Sequence, residues 1–470
     1  MATGLGTLSQ SQAPRVAVIG SGAIGLLVFA KLAQLQQSEA RPIFSKLALV
    51  CRSEQVAQQI QNKGGIDLIN FETGDALGKQ SASRACFCAL DAPQLQVMSC
   101  RDDTAAGIDL ALVCVKSYQI ESIGSFLRRA FMGSTSPSAA VTFCNGIGHV
   151  PRLAALLPRQ VAVLPAVTYM AAERLGTNKV QVHGHGATYI LGKGNPSQPI
   201  IVRATLKETL AAVAPIPFTS TSASCKQAEN RIQDEHVTRE QVRTEQFQHL
   251  PTESWFSALY RSNGTEERAP AGETRRPPSE KAPATAIGDQ RYSPWGQILD
   301  LTLEQQRLLD ERQGLCAWMN RAGIGPASIG QDERPFVEKL ALNCGINPVA
   351  TLLGVRNGAL MRLPGALRLA EMAALEVAEL FGMSGPPLLG RLRNVLGATA
   401  GNVNSMLADL LRGQPTEVDA LNGAVADLMA SRGDHRPSVN ALLALIIRAL
   451  TERRQQKLEL GDIGGEYPVR

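Results

Sequence analysis

Two groups of residues in this chain could do chemistry. The first lies in the run RVAVIGSGAIGLL, Arg15 to Leu27. Four apolar residues, Val16 to Ile19, read as a strand buried on both faces, and an apolar helix pattern starts after the glycines. Between them Gly20, Ser21, Gly22, Ala23, Ile24 and Gly25 give the spacing G-x-G-x-x-G. Gly20 permits a tight turn, Gly22 keeps side chains away from an approaching pyrophosphate, and Gly25 lets helix and strand pack closely. The free N–H groups of the helix start attract an anion. The run therefore reads as a dinucleotide site. Lys46 to Cys51 reads as the second strand, and Arg52 follows it where an acidic residue would hold the ribose hydroxyls of NAD. A cation there suits the 2′-phosphate of NADP instead, so NADPH is the expected cofactor. Lys116 ends another buried strand, Ile108 to Val115, and so belongs at the ligand crevice of a parallel sheet.

The second group is Lys339, Asn343 and Asn347, each four residues from the next. On a helix they form one stripe, amid the apolar Leu340, Ala341, Leu342 and Ile346. Polar groups on a buried face are costly unless a ligand or partner groups meet them. A lysine ammonium can polarise a carbonyl oxygen and then protonate it as hydride reaches the carbon. Burial would bring its pKa toward neutrality, which suits a general acid. The asparagines can bind a substrate hydroxyl without adding charge. Asn357 follows the end of that helix, and Ser405 and Glu417 lie on later helices. A serine hydroxyl can bind a carboxylate, and a glutamate near the lysine can hold it ionised. Taken alone, Ser405 and Glu417 read as an exposed helix cap and a surface acid rather than as site residues.

These residues need a scaffold of more than one core. The chain has 470 residues, 44% hydrophobic and 19% charged, which suits two or more globular domains. Its net charge of +5 is small, and the charges are interspersed, so no nucleic-acid footprint is present. No run reaches the ~18 apolar residues of a membrane span. The start, Met1 to Pro14, has no hydrophobic signal region. Nine scattered cysteines fit reduced thiols, so a cytoplasmic location is expected, with a mitochondrial one left open. Cys86 and Cys88 have no second pair to complete a zinc site, so no metal is expected.

Strands at Ala140 to Cys144, Val161 to Tyr169 and Thr188 to Gly192 continue a doubly wound α/β sheet. From about 222 to 298 the chain is polar, rich in Gln, Glu, Arg, Ser and Pro, and without apolar period. It reads as a disordered insertion, in which Trp255 and Trp295 dock locally or bind a partner. Residues 297–319 read as helical. After Asp332 the pattern is helical throughout: Arg334 to Leu353, Leu367 to Phe381, Asn402 to Arg412, Glu417 to Arg432 and Ser438 to Arg453. The expected organisation is a Rossmann-like α/β domain over 14–330, interrupted by the insertion, and an all-α domain over 331–470. A small substrate would sit in the cleft between them.

Several blocks carry a family resemblance. They are the glycine fingerprint, VKSYQ at Val115 to Gln119, NGIG at Asn145 to Gly148, and Ala171-Ala172 after a strand. EKLALNCGINP at Glu338 to Pro348, NGAL at Asn357 to Leu360, NSMLAD at Asn404 to Asp409 and GQPTEVDALNG at Gly413 to Gly423 follow in order. Together the chain resembles the ketopantoate reductase (2-dehydropantoate 2-reductase) family over most of its length outside the insertion. The resemblance implies reduction of 2-dehydropantoate to (R)-pantoate with NADPH, toward pantothenate and coenzyme A. Lys339 would be the proton donor, with Glu417 beside the reacting groups. Asn343, Asn347, Asn357 and Ser405 would bind substrate. Gly20 to Gly25, Arg52, Lys116, Asn145, Ala172 and Glu417 would meet the cofactor. The partners expected are a small 2-oxo acid and, through the helical half, a second copy in a homodimer. The alternatives are a reductase of another 2-oxo acid in the same fold and a catalytically inactive NADP-binding regulator.

Three features depart from the family pattern. Asn404 stands where a second serine is frequent, which bears on carboxylate recognition. The insertion leaves two segments, Thr205 to Ser220 and Glu304 to Ile329, to close the nucleotide domain, and the run from Gln313 to Ile324 fits better. Residues 51–107 match poorly beyond Arg52.

Overall fold

The structure is a computed structural model and describes residues 13–70, 84–102, 107–132, 134, 137–184, 186–192, 293–296, 301–434 and 436–456. Its strands are β1 (Arg15–Ile19), β2 (Lys46–Cys51), β3 (Gly65–Asn70), β4 (Arg84–Ala89), β5 (Leu95–Ser99) and β6 (Leu110–Val113). They continue as β7 (Ala139–Thr142), β8 (Ala162–Thr168), β9 (Ala171–Arg174), β10 (Lys179–Gly184), β11 (Thr188–Leu191) and β12 (Ala327–Gly330). The helices of the α/β part are α1 (Ala23–Ser38), α2 (Glu54–Asn62), α3 (Ile120–Met132), α4 (His149–Leu156), α5 (Leu303–Leu309) and α6 (Leu315–Arg321). The helical part holds α7 (Arg334–Leu353), α8 (Pro364–Leu380), α9 (Gly385–Ala398), α10 (Ser405–Leu411), α11 (Ala424–Ser431) and α12 (Val439–Gln455).

The large sheet runs β12-β11-β8-β7-β6-β1-β2-β5. Every pair in it is parallel except β8 with β11. Its central strands are runs of buried Val, Leu, Ile and Ala because helices cover both faces. From β1 the chain crosses to β2 on one side, and later returns to β6 on the other. The carboxyl ends of β1 and β6 therefore flank a topological switch point, where ligands of open α/β sheets bind. The glycine turn and Lys116 both follow strands that end there.

The sheet closes with α6 and β12, and β12 pairs parallel with β11 through Thr188↔Ala327 to Leu191↔Gly330. Glu304 to Ile329 is thus the closing segment, and Thr205 to Ser220 lies outside the described residues. So does most of the polar insertion, Trp255 included. The helix expected over 297–319 is instead two short ones. Asp310 breaks it, because its Oδ1 accepts from the backbone N–H groups of Arg312, Gln313 and Gly314.

A second sheet, β4-β3-β10-β9, packs against α1. Three of the strands within 51–107 (β3, β4 and β5) have no counterpart in the sequence reading. In the helical part, the reading also passes over α9. Its first turn carries Pro386 and Pro387, at positions where a helix tolerates proline.

Helix α7 forms over the expected residues and is buried on nearly all sides. Pro335 starts it, and Gly354 ends it in the left-handed conformation at φ +64°. Pro348 inside it has no N–H, so the Cys344 carbonyl four residues back loses its helical donor. The buried Asn422 side chain replaces that donor, with Nδ2 at 3.0 Å from Cys344 O. The same Nδ2 lies 2.8 Å from Asn440 Oδ1. Asn422 sits in a π-helical turn, Asp419–Gly423, rather than in the regular helix expected from Glu417 onward.

Candidate functional site

The glycine turn is tight on its inner side and open on its outer side. Gly20 has φ +113°, and a Cβ there would meet the Cys114 carbonyl oxygen at 2.8 Å. A Cβ on Gly25 would overlap the Gly20 carbonyl oxygen, so any side chain there would lift α1 off the sheet. Gly22 differs: a Cβ on it meets nothing nearer than Cys114 O at 3.9 Å, which leaves the backbone open from outside. Helix α1 starts at Ala23, followed by Ile24, with no acidic residue in its first turn. Its amide dipoles therefore face outward without a competing charge.

Arg52 is exposed at the end of β2 and lines a cleft with Arg101, Ser122 and Ser125. Arg101 follows β5, which pairs with β2, so both arginines line the one cleft. The sequence assigns no role to Arg101, which lies in the poorly matching stretch 51–107. Ala172 sits on β9 opposite Val182 of the second sheet.

At the carboxyl ends of β6 and β7 the structure brings three expected residues together. Lys116 Nζ lies 3.3 Å from Glu417 Oε2 and 2.8 Å from Asp409 Oδ2. Asn145 Nδ2 donates to the same Glu417 oxygen at 3.0 Å. The Ser117 backbone N–H donates to the other, Oε1, at 3.2 Å. Glu417 is only 5% exposed. Burial works against the Lys116 ammonium, but Glu417 and Asp409 outweigh it and hold its pKa above the ordinary lysine range. Asp409 belongs to the NSMLAD block, and the sequence alone assigns it no role.

The turn after β7 is clamped onto the helical part. Gly146 has φ +83°, and a Cβ on it would overlap the Ala420 carbonyl oxygen. The Ile147 N–H donates to that oxygen at 3.0 Å. Ala420 belongs to the π turn, so one tight contact fixes Asn145 and Glu417 in mutual reach. Glu417 thus holds Lys116 and Asn145. It does not pair with Lys339, which corrects the expectation of a glutamate beside that lysine.

Lys339 points from α7 into a cavity lined by Asn145, His149, Thr168, Phe143, Trp295 and Phe336. Its Nζ donates to the Thr168 backbone carbonyl at 2.9 Å and sits 4.8 Å from the centre of the Tyr169 ring. Burial pushes its pKa down to about 8, with no carboxylate among the described residues opposing it. Tyr169 lies near the Glu338 carboxylate, but Arg391 holds that group at 3.0 Å.

The other expected residues stand apart. Among the described residues, no hydrogen bond links Asn343, Asn347, Asn357 or Ser405 to Lys339. Asn343 is half-buried on α7, one turn from Lys339. Asn347 is buried, and its backbone carbonyl lies 3.5 Å from Asn404 Nδ2. Asn357 is buried and donates from Nδ2 to Thr399 Oγ1 at 3.0 Å. Ser405 is exposed at the first position of α10. Asn404 caps that helix, its Oδ1 accepting from the Leu407 N–H at 2.9 Å. Its side chain is therefore engaged in the fold. The described cysteines are all free thiols, and no group of described residues could hold a metal ion.

The family model described as ketopantoate reductase PanE/ApbA matches residues 16–194, and that of its C-terminal region matches 334–450. A 2-dehydropantoate 2-reductase of Halobacterium salinarum is 34% identical over 136 residues, 28% of this chain and 45% of that protein. One from Yersinia pestis is 36% identical over 113 residues, 24% of this chain and 37% of that protein. The chain therefore matches less than half the length of these relatives. Among solved structures, a PanE/ApbA family ketopantoate reductase from Ralstonia eutropha aligns with TM-score 0.54 at 18% identity, covering 94% of this chain and 99% of the other. A D-mandelate dehydrogenase with NADH and anilino(oxo)acetate aligns with TM-score 0.56 at 14% identity, with the same coverage. These two alignments speak for the fold alone.

Proposed function

From the premise that the chain belongs to the ketopantoate reductase family, we propose that it reduces 2-dehydropantoate to pantoate with NADPH. The observation that carries this reading is Lys339: an ammonium held in a cavity shared with Asn145, which reaches through Glu417 to Lys116 beside the glycine crevice. The Gly20–Gly25 turn and the start of α1 would hold the pyrophosphate. Arg52 and Arg101 would meet the 2′-phosphate, which NADH lacks. When bound, NADPH supplies the hydride that reduces the keto carbon.

The chain's own residues supply the rest. An ammonium has three N–H donors, and Thr168 O takes one. The remaining donors can polarise the keto oxygen and then give it a proton, leaving neutral lysine. A pKa near 8 keeps the group charged at neutral pH while lowering the cost of that transfer. The Tyr169 ring stabilises the charge without accepting the proton. Asn145, oriented by Glu417, would fix the reacting groups, and Asn343, Asn347, Asn357 and Ser405 would bind the rest of the substrate.

Oxidation of NADPH by the purified chain with 2-dehydropantoate, beside NADH and a panel of other 2-oxo acids, tests the proposal. Turnover should be highest with 2-dehydropantoate and NADPH together. Faster turnover of another 2-oxo acid would reassign the substrate. Binding of NADPH with no turnover of any 2-oxo acid would make the chain a regulator.

A further inference from the structure

His149 is the first residue of α4, directly after the Asn145–Gly148 turn. It is 2% exposed, and neither ring nitrogen has a hydrogen-bond partner among the described residues. Buried polar atoms are ordinarily paired, so two orphaned nitrogens on one ring call for an explanation. The ring lines the same cavity as Lys339, Asn145 and Thr168. Phe143, Trp295 and Phe336 give that cavity apolar walls. Trp295 is itself buried, packed on Phe336 and Phe381 at 5.6 and 5.3 Å between ring centres. It comes from the end of the polar insertion, so the inserted segment contributes a wall next to the candidate acid.

Burial pushes the His149 pKa down to about 4, against the pull of Glu417. At neutral pH the ring therefore carries one N–H donor and one lone-pair acceptor. That pair matches an alcohol, which also donates and accepts. A second carboxylate would only accept, and an alkyl group would do neither.

Resting on the reduction of a 2-oxo acid at Lys339, we propose that His149 is a specificity-determining residue. It hydrogen-bonds a hydroxyl that the substrate carries beyond its keto carbon, and the enzyme thereby selects hydroxylated 2-oxo acids over their deoxy counterparts.

The test compares 2-dehydropantoate (4-hydroxy-3,3-dimethyl-2-oxobutanoate) with 3,3-dimethyl-2-oxobutanoate, which has the same carbon skeleton without the hydroxyl. NADPH oxidation is followed with the full chain, His149→Leu and His149→Gln. The native chain should prefer the hydroxylated acid in kcat/KM. His149→Leu should reduce that preference by about 10- to 100-fold, the range expected when a buried polar partner is lost. His149→Gln, which keeps a donor and an acceptor, should restore most of it. A preference unchanged in His149→Leu overturns the proposal while leaving the reductase reading intact. No turnover of either acid by the native chain overturns both. Should the leucine variant not fold, native chain labelled with 15N-histidine and saturated with NADP+ provides the readout. The hydroxylated acid should shift the His149 ring nitrogens and the deoxy acid should not; equal response to both overturns the proposal.

Discussion

Asn145 Nδ2 donates to Glu417 Oε2 at 3.0 Å, although the two residues lie 272 positions apart. One belongs to the turn after β7, the other to the segment before the π turn. This bond joins the α/β part to the helical part at the candidate site. Glu417→Gln keeps the shape of the side chain but turns an amide toward the Lys116 ammonium. We expect kcat/KM for 2-dehydropantoate to fall on the order of 10²-fold, with a higher KM for NADPH. Steady-state kinetics beside a thermal melt checks this. Unchanged kinetics would reduce Glu417 to a structural clasp.

Lys339 predicts a pH dependence with a definite sign. Only the ammonium form can give a proton, and burial places its pKa at about 8. The rate of reduction should be level below that pH and fall above it, about tenfold per pH unit. Lys339→Ala should lower kcat by at least ~10² and remove that limb of the profile. Stability has the opposite sign. The unfolded chain binds the lysine proton more tightly than the folded one, so this group's contribution favours folding more as pH rises through about 8. A flat activity profile up to pH 10 would exclude the lysine as acid.

The cleft of Arg52 and Arg101 predicts cofactor choice. Replacing either by alanine should raise KM for NADPH about tenfold, the loss of one charge-assisted contact to phosphate, and leave KM for NADH nearly unchanged. The NADPH effect should shrink with added salt, because the pair lies at the surface. Equal losses with both cofactors would place these arginines elsewhere in the binding.

Asn422 predicts a coupled effect on stability. Its side chain supplies the donor that Pro348 denies to the Cys344 carbonyl. Asn422→Leu should cost about 1–3 kcal/mol by leaving that buried oxygen unpaired. In a Pro348→Ala background the helix regains its own donor, so the cost should be smaller. Denaturant unfolding of the four proteins gives the coupling directly, and additive losses would refute it.

The sequence by itself determined the parts whose physics is local. The β1-turn-α1 unit follows from four apolar residues and three glycines in fixed spacing. Helix α7 follows from its apolar period between Pro335 and Gly354. A lysine on that helix was legible as a buried ammonium, and burial alone accounts for its lowered pKa. Other features depended on groups far apart in sequence. The small second sheet arises from pairings such as β3 with β10, and no local period announces them. Asp409 and Arg101 became visible only when the fold placed their charges beside Lys116 and Arg52. Asn404 stood out as a departure from the serine frequent at that place, and the fold shows the start of α10 using its side chain as a cap. The partner of Glu417 was likewise undecidable from spacing. Periodicity fixes which face of an element is buried, but the contact between Gly146 and Ala420 decides which buried faces meet. That contact exists only when both parts of the chain are folded together, and it is what brings Asn145, Lys116 and Glu417 into one cluster.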